Sequence, residues 1–151
     1  MDIRLIALIG LAAIAGFFLF FIPHKSKDSA YTEANLKRTS QEASIEVTAV
    51  FLNPLMKPQE SKGQLQFKVT LDSHSVDLMQ FDLTKLATVR TNTSINIVTS
   101  VTWKPSDESS HHRAGTLTVL TTFDEKAEYI ELEMKGIGIP SRVFRWELRK
   151  S

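Results

Sequence analysis

Hydrophobic residues follow two different patterns along this chain. The range 5–22 is an unbroken run of apolar and small residues, LIALIGLAAIAGFFLFFI. From Ser44 onward apolar and polar residues alternate, which is the pattern of β-strands with one buried face. A polar stretch without a clear period lies between them. The pattern therefore predicts three parts: a transmembrane anchor at residues 1–24, a polar linker at 25–43 and a folded domain at 44–151.

The apolar run has the length of a single membrane-spanning helix. Its 18 residues correspond to a helix of about 27 Å, close to the ~30 Å hydrocarbon core of a bilayer. A cleaved signal peptide has a shorter apolar segment that ends at a small-residue cleavage site. Ala13-Ile14-Ala15 resembles such a site, but the apolar run continues beyond it to Ile22. This continuation favours an uncleaved anchor, and Pro23 ends the predicted helix.

The charges that flank the anchor are nearly balanced, so they determine its orientation weakly. Arg4 lies on one side and Lys25 and Lys27 lie on the other, where Asp28 offsets them. A cytoplasmic N-terminus fits a signal anchor that leads into a β-rich domain. We therefore expect a single-pass membrane protein whose C-terminal domain is periplasmic or extracellular.

Two groups of residues in the anchor are candidates for contacts with lipid or other helices. Small residues allow a second helix to approach closely, and here they are Gly10, Ala12, Ala13 and Gly16. The aromatic group is expected to face lipid or to dock against a larger assembly, and it contains Phe17, Phe18, Phe20 and Phe21. Ordinary membrane-helix composition is the alternative explanation of the small residues.

The folded domain contains a repeated period-two pattern. In GQLQFKVTL, which covers residues 63–71, every second residue from Leu65 to Leu71 is apolar. The same alternation predicts strands that begin near Ile45, Ile95, Leu117, Ile130 and Phe144. A weaker segment covers Val76 to Thr91, and a loop is predicted from Lys104-Pro105 onward. About seven short strands over roughly 100 residues is typical of an immunoglobulin-like antiparallel β-sandwich.

In strand number and length, residues 44–148 resemble immunoglobulin-like and cupredoxin-like sandwich domains. The resemblance implies two antiparallel sheets around one core. The chain contains no Cys, so it lacks the disulfide of antibody domains and the Cys ligand of a blue-copper site. The resemblance therefore brings no electron-transfer role and no site residues to this chain.

The composition and the absence of motifs argue against several function classes. Lys and Arg number 18 against 17 Asp and Glu, whereas a nucleic-acid-binding domain usually has a strongly basic face. The sequence has no nucleophile elbow, Gly-rich phosphate loop or HExxH motif. Glu131 and Glu133 alternate with apolar residues, which indicates a solvated strand face rather than a catalytic pair. We therefore expect a protein that is not an enzyme and does not bind nucleic acid.

The most informative polar residues are four candidate metal ligands, His74, Asp77, His111 and His112. The first two follow one predicted strand and the last two precede another. They meet at one end of the sandwich if Val76 to Thr91 crosses the domain once, and they are separated if it crosses twice. Imidazole and carboxylate ligands suit Zn or Cu(II). The alternative is that these are solvated residues, or that a hydrogen bond of His74 fixes the end of the sandwich.

The basic residues near the C-terminus alternate with the apolar residues of the last predicted strand, and they are Arg142, Arg145, Arg149 and Lys150. Among them, Arg145 and Arg149 are the candidates for contact with lipid headgroups or an acidic partner. A solvated outer face explains the same pattern.

The sequence as a whole favours a non-enzymatic accessory or stabilising subunit of a larger membrane complex, such as a respiratory, photosynthetic or transport complex. Its extracytoplasmic sandwich would bind partner subunits, and its anchor would contact membrane lipid. The alternative is an extracytoplasmic domain that binds or delivers Zn or Cu through its histidines. Outside that alternative, no cofactor is expected.

Overall fold

The structure is a computed structural model that describes residues 31–93, 100–121 and 126–148. None of the helices in these ranges is long and apolar enough to cross a membrane. The predicted anchor lies outside the described residues, together with its candidate contacts Gly10, Ala12, Ala13, Gly16, Phe17, Phe18, Phe20 and Phe21. Arg149 lies outside them as well.

The described part of the chain is mainly β-structure. Its eight strands are β1 (Lys37–Glu42), β2 (Ile45–Phe51), β3 (Gln64–Ser73), β4 (Ala87–Thr91), β5 (Ser100–Glu108), β6 (His112–Leu120), β7 (Tyr129–Lys135) and β8 (Ser141–Glu147). The helices are short: α1 (Glu33–Leu36), α2 (Pro58–Ser61) and α3 (Leu83–Leu86), with 3₁₀ turns at Asn53–Leu55 and Leu78–Gln80.

The strands form two antiparallel sheets, as the alternation predicts. The first sheet has the order β1-β2-β3-β6-β5 and the second has the order β4-β7-β8. One hydrophobic core contains buried residues from both sheets. At its centre, the rings of Phe51 and Phe67 in the first sheet contact Trp146 in the second, with centroids 5.8 and 5.5 Å apart. The apolar face of β3 from Leu65 to Leu71 is completely buried.

β1 lies within the range 25–43, which the sequence pattern assigns to the linker. It pairs with β2 along its whole length, from Lys37 opposite Val50 to Glu42 opposite Ile45. Its sequence KRTSQE has no apolar alternation because most of its side chains are exposed. Backbone pairing rather than side-chain burial therefore forms this strand. The folded part of the chain begins before Ser44.

Side chains of β8 form hydrogen bonds that connect α1 and β1 to the second sheet. Arg142 is buried and not on a solvated face, because it lies on the same side of β8 as Phe144 and Trp146. It donates hydrogen bonds to the carbonyl oxygens of Ser40, Glu42 and Ile137. The indole Nε1 of Trp146 donates to the carbonyl oxygen of Leu36 at 2.6 Å. Because these donors lie in β8 and most of the acceptors in α1 and β1, they join the edges of the two sheets.

β5 extends past the point where the sequence pattern predicts a loop. It continues through Pro105 to Glu108, with a register shift against β6 between Pro105 and Asp107. Pro is compatible with this position because β5 is an edge strand of the first sheet. Gly115 lies opposite Pro105, and a Cβ atom at Gly115 would lie 2.8 Å from the Cα atom of Pro105. A larger residue at position 115 would therefore displace the edge strand.

The strand directions define two opposite ends of the sandwich. At the entry end, β2 finishes, β3 begins and β6 finishes, and the described chain enters through α1 into β1. At the histidine end, the Ala43-Ser44 turn lies beside the last residue of β3, the first residue of β6 and the loop 136–140. The ten residues of β3 run from one end to the other, a distance of about 33 Å.

Candidate functional site

The loops that carry the candidate ligands meet at the histidine end. Between Val76 and Thr91 the structure has only one strand, β4, and it belongs to the second sheet. The loop after β3 therefore lies beside the loop before β6. The Ser73 amide donates to the carbonyl oxygen of His111 at 3.0 Å, and the Leu78 amide donates to that of Ser110 at 2.7 Å. The segment from Val76 to Thr91 thus crosses the domain once, which is the alternative that brings the two loops to one end of the sandwich.

Two of the four candidates have structural roles in these loops. The Asp77 carboxylate accepts a hydrogen bond from the Met79 amide at 2.9 Å and caps the 3₁₀ turn Leu78–Gln80. His111 contributes its carbonyl oxygen to the pairing of the loops, and its side chain is exposed. The Ser73 hydroxyl donates to the carbonyl oxygen of Ser44 at 2.9 Å. Hydrogen bonds of the Ser73 hydroxyl and of backbone amides thus hold the loops of the histidine end together.

His112 is the first residue of β6 and not a loop residue. Its Nδ1 atom lies 2.5 Å from Oδ1 of Asp72 in β3, and its Nε2 atom lies 3.8 Å from Oδ2 of Asp107 in β5. The hydrogen bond with Asp72 raises the pKa of His112, and the negative charges of Asp72 and Asp107 add to this effect. The imidazole of His112 therefore links β6 to its two neighbouring strands, β3 and β5.

The next residue of β6, Arg113, has a buried guanidinium that binds neighbouring segments at the same end of the sandwich. Arg113 donates to the carbonyl oxygens of Leu78 and Phe81 at 3.1 and 2.7 Å, and to Oε1 of Glu108 at 2.7 Å. Trp103 Nε1 donates to the same carboxylate oxygen at 2.9 Å. The hydrogen bond from Trp103, followed by that from Arg113, lowers the pKa of Glu108.

The sequence pattern did not identify this Arg113 cluster. The sequence does contain one indication of it. Arg113 lies two and four positions before Gly115 and Leu117, so in a strand all three residues face the same buried side. Its acceptors come from the loop before β4 and from β5. Those contacts depend on the sheet order, which alternation alone does not specify.

His74 lines a pocket on the outer face of the first sheet. The pocket has a volume of about 340 Å³, and its walls include the carboxylates of Glu46 and Asp72. These two residues lie directly opposite each other in the β2–β3 pair. The remaining lining residues are small or neutral: Gln41, Ser44, Ser73 and Ser75. Imidazole and carboxylate groups are therefore concentrated at this end of the sheet.

The four candidate ligands all lie in the described part of the chain. Within that part, no group of three or more His, Cys, Asp and Glu side chains is arranged to hold a metal ion. The contacts of His112 are with Asp72 and Asp107 rather than with another candidate ligand. A Zn or Cu site at His74, Asp77, His111 and His112 stays a prediction.

Arg145 lies on the outer face of the second sheet, where its charge has nearby partners. Its Nε atom donates to Glu147 Oε1 at 2.7 Å, and Nη1 donates to Glu131 Oε1 at 3.2 Å. The guanidinium also stacks 3.6 Å from the ring centroid of Tyr129. These carboxylates raise the pKa of Arg145, with Glu147 as the largest cause. Contact of Arg145 with lipid or an acidic partner stays a prediction.

Comparison with known proteins finds a distant similarity to a solved structure. No protein-family model and no curated protein match this chain. The crystal structure of a DUF4426 family protein from Pseudomonas aeruginosa PAO1 is similar with a TM-score of 0.40 and 12% sequence identity. The match covers 74% of this chain and 92% of that chain.

Proposed function

We propose that this chain is a non-enzymatic, membrane-anchored binding domain with an immunoglobulin-like topology. Without β1, the first sheet has the order β2-β3-β6-β5 and the second has the order β4-β7-β8. This arrangement corresponds to strands A-B-E-D and C-F-G of constant-type immunoglobulin domains. The strand order supports the immunoglobulin-like topology, in which β1 is an additional N-terminal strand.

The observation that carries the proposed function is the position of the two ends of the sandwich. The chain enters α1 and β1 from the side of the predicted anchor, while the histidine end is about 33 Å away along β3. An anchor at residues 1–24 thus leaves the loops of the histidine end directed away from the membrane. Loops on a rigid scaffold commonly serve binding. We propose that they contact other subunits of a membrane complex as an accessory or stabilising component.

The first experiment measures the native size of the full chain after gentle detergent extraction from its source membrane, followed by mass spectrometry of co-migrating proteins. Stoichiometric co-migration with membrane subunits is the expected result. Migration of the chain alone in its detergent micelle would overturn the proposal. Asp107→Arg places the opposite charge at the histidine end and is expected to weaken co-migration. Glu128→Arg makes the same charge change at an exposed position before β7, at the entry end, and serves as the matched control.

Metal binding at the histidine end is a second candidate function. The observation that favours it is that His112 lies between Asp72 and Asp107, with His74 and His111 in the adjoining loops. Zinc titration by calorimetry should give one site in the full chain. Replacement of His111 and His112 by Ala should remove it, while His24→Ala should leave it unchanged. The absence of zinc binding in the unaltered chain would eliminate this function.

A further inference from the structure

We infer that the entry end lies against the bilayer surface, with Leu55 and Leu120 in the lipid interface and Lys57 and Lys62 among anionic headgroups. This inference rests on the membrane anchor of the proposed function, and it adds a second membrane contact made by the folded domain itself. Three features of the entry end support it: its exposed apolar side chains, its lysines and the short length of chain that precedes it.

Two large apolar side chains are exposed at the entry end. Leu55 closes the 3₁₀ turn after β2 and is 40% exposed, and Leu120 ends β6 and is 46% exposed. Leu120 lies opposite Gln64, the first residue of β3. Single exposed apolar residues are common on soluble domains, whereas several on one surface indicate an interaction site. Of the other large apolar side chains that are exposed in the described residues, Tyr31 precedes α1, Met79 lies at the histidine end and Val143 lies on the outer face of the second sheet.

Two exposed lysines accompany these leucines. Lys57 and Lys62 flank the short helix α2 in the connection between β2 and β3. Glu60 is the acidic residue of that connection, and its carboxylate lies 3.4 Å from the Lys57 amide, which it caps. Lysine side chains can extend from an apolar contact toward headgroups. Apolar contacts with adjacent lysines are typical of a surface that binds an anionic membrane.

The length of the preceding chain limits how far this end can lie from the bilayer. The apolar run ends at Ile22 and the described chain begins at Tyr31, so eight residues lie between them. Even a fully extended chain of this length spans only about 30 Å. This distance is similar to the length of the sandwich itself. The entry end is the part of the domain that follows the anchor most closely in sequence. A chain of this length therefore keeps the entry end close enough to the bilayer for contact.

The chain contains no Cys, so a single introduced Cys can carry one nitroxide label. The test variants are Leu55→Cys and Leu120→Cys. Met79→Cys and Val143→Cys are matched controls, because their side chains are 51% and 50% exposed on other surfaces. Each full-length variant is reconstituted in vesicles of phosphatidylcholine and phosphatidylglycerol, without any partner protein. Electron paramagnetic resonance then compares label relaxation by oxygen with relaxation by a water-soluble nickel chelate.

Labels at positions 55 and 120 should be at least several-fold less accessible to nickel than labels at 79 and 143. Equal nickel accessibility at all four positions would overturn the inference. The combined change Lys57→Glu and Lys62→Glu should return the label at position 120 to water, as should vesicles of phosphatidylcholine alone. Lys104→Glu makes the same charge change on β5 and should have no effect. Protection that persists in both tests would overturn the role assigned to the lysines.

A separate measurement distinguishes failure of this inference from failure of the anchor. Alkaline carbonate releases proteins that are bound only to the membrane surface. If the full chain stays with the vesicles while labels at positions 55 and 120 face water, the anchor holds and the docking contact is absent. If carbonate releases the chain, the membrane-anchored function itself is overturned. Circular dichroism of each variant verifies that the β-structure is retained.

Discussion

The two ends of this sandwich are closed by different chemistry. At the histidine end, Arg113 and Arg142 are 6% and 2% exposed, and each donates several hydrogen bonds to neighbouring loops or strands. At the entry end, Asn53 hydrogen bonds to the backbone of β3, and Leu55 and Leu120 stay exposed. Buried guanidinium groups thus hold the histidine end together, whereas the neutral amide of Asn53 does so at the entry end. Exposed apolar side chains occur at both ends, Met79 at the histidine end and Leu55 and Leu120 at the entry end. The two leucines lie at the same end as Lys57 and Lys62, and this combination supports a membrane contact at the entry end.

The two buried arginines also differ from each other. Arg113 has a carboxylate partner, Glu108, at 2.7 Å. Arg142 donates to three carbonyl oxygens and to the Ser40 hydroxyl, and burial lowers its pKa. Carbonyl oxygens that lose their donor in a buried site cannot all recover it from water. Removal of Arg142 should therefore be the most damaging change at this end.

Arg142→Met gives the largest expected effect. The change keeps an unbranched side chain but removes every donor to Ser40, Glu42 and Ile137, so we expect a loss of about 3–5 kcal/mol in the free energy of unfolding. Urea denaturation of the full chain in detergent, followed by tryptophan fluorescence, measures this loss. Arg145→Met is the control, since exposed ion pairs contribute less than about 1 kcal/mol. Equal losses in the two variants would contradict the role given to Arg142.

Gly115→Ala gives the second largest effect. The added Cβ would lie 2.8 Å from the Cα atom of Pro105 and 2.9 Å from Cη2 of Trp103. Overpacking of this kind costs about 1–3 kcal/mol, and here β5 must move away from β6. The same denaturation measures the loss. Ala114→Ser places a similarly small change at the neighbouring position and should be almost neutral, and an equally neutral Gly115→Ala would show that the edge strand adjusts freely.

Trp103→Phe gives a smaller effect at the same strand. It removes the Nε1 donor to Glu108 but retains an aromatic ring on the core, and Arg113 still donates to that carboxylate. We therefore expect a loss of about 1–2 kcal/mol. Double-mutant analysis with Glu108→Gln measures how much of the loss passes through this hydrogen bond. Additive losses would show that Trp103 stabilises the domain by packing alone.

Local alternation predicts the strands whose one face is buried. β3, β7 and β8 match their predicted segments because every second side chain enters the core. β1 could not be predicted in this way, since pairing with β2 and the hydrogen bonds from Arg142 hold it. Pro105 suggested a loop, but an edge strand accommodates it. β1 is held by backbone pairing, whereas alternate side chains of β8 are buried in the core, and only side-chain burial leaves a periodic signal in the sequence.

The histidine end shows the same limit for functional residues. The residue types indicated that the two loops carry candidate ligands, and the sheet order brings the loops together. The contacts of His112 with Asp72 and Asp107 follow from strand register across three strands. No local pattern specifies a register between strands that are distant in sequence. The contacts of His112 with Asp72 and Asp107 could therefore not be predicted from the sequence.

The smallest expected effect is a pH dependence that comes from His112. Its pKa is raised in the folded protein, mainly by the hydrogen bond with Asp72. The added stability is therefore fully present below the unfolded-state pKa of about 6.5 and is lost as the pH rises through the folded-state value. Because the His112 and Asp72 side chains are 41% and 50% exposed, we expect less than about 1 kcal/mol.

Asp72→Asn isolates this contribution, because it removes the charge and keeps a side chain of similar size. The stability difference between the unaltered chain and this variant should be larger at pH 5.5 than at pH 8.5. In an NMR titration, the His112 midpoint should fall toward its ordinary value in the variant. Asp77→Asn changes a carboxylate that contacts the Met79 amide instead, so it should leave the His112 midpoint unchanged. If the His112 midpoint does not change in Asp72→Asn, this carboxylate does not determine the charge of His112. The electrostatic difference between the histidine end and the entry end would then come from the buried Arg113 and Arg142 alone.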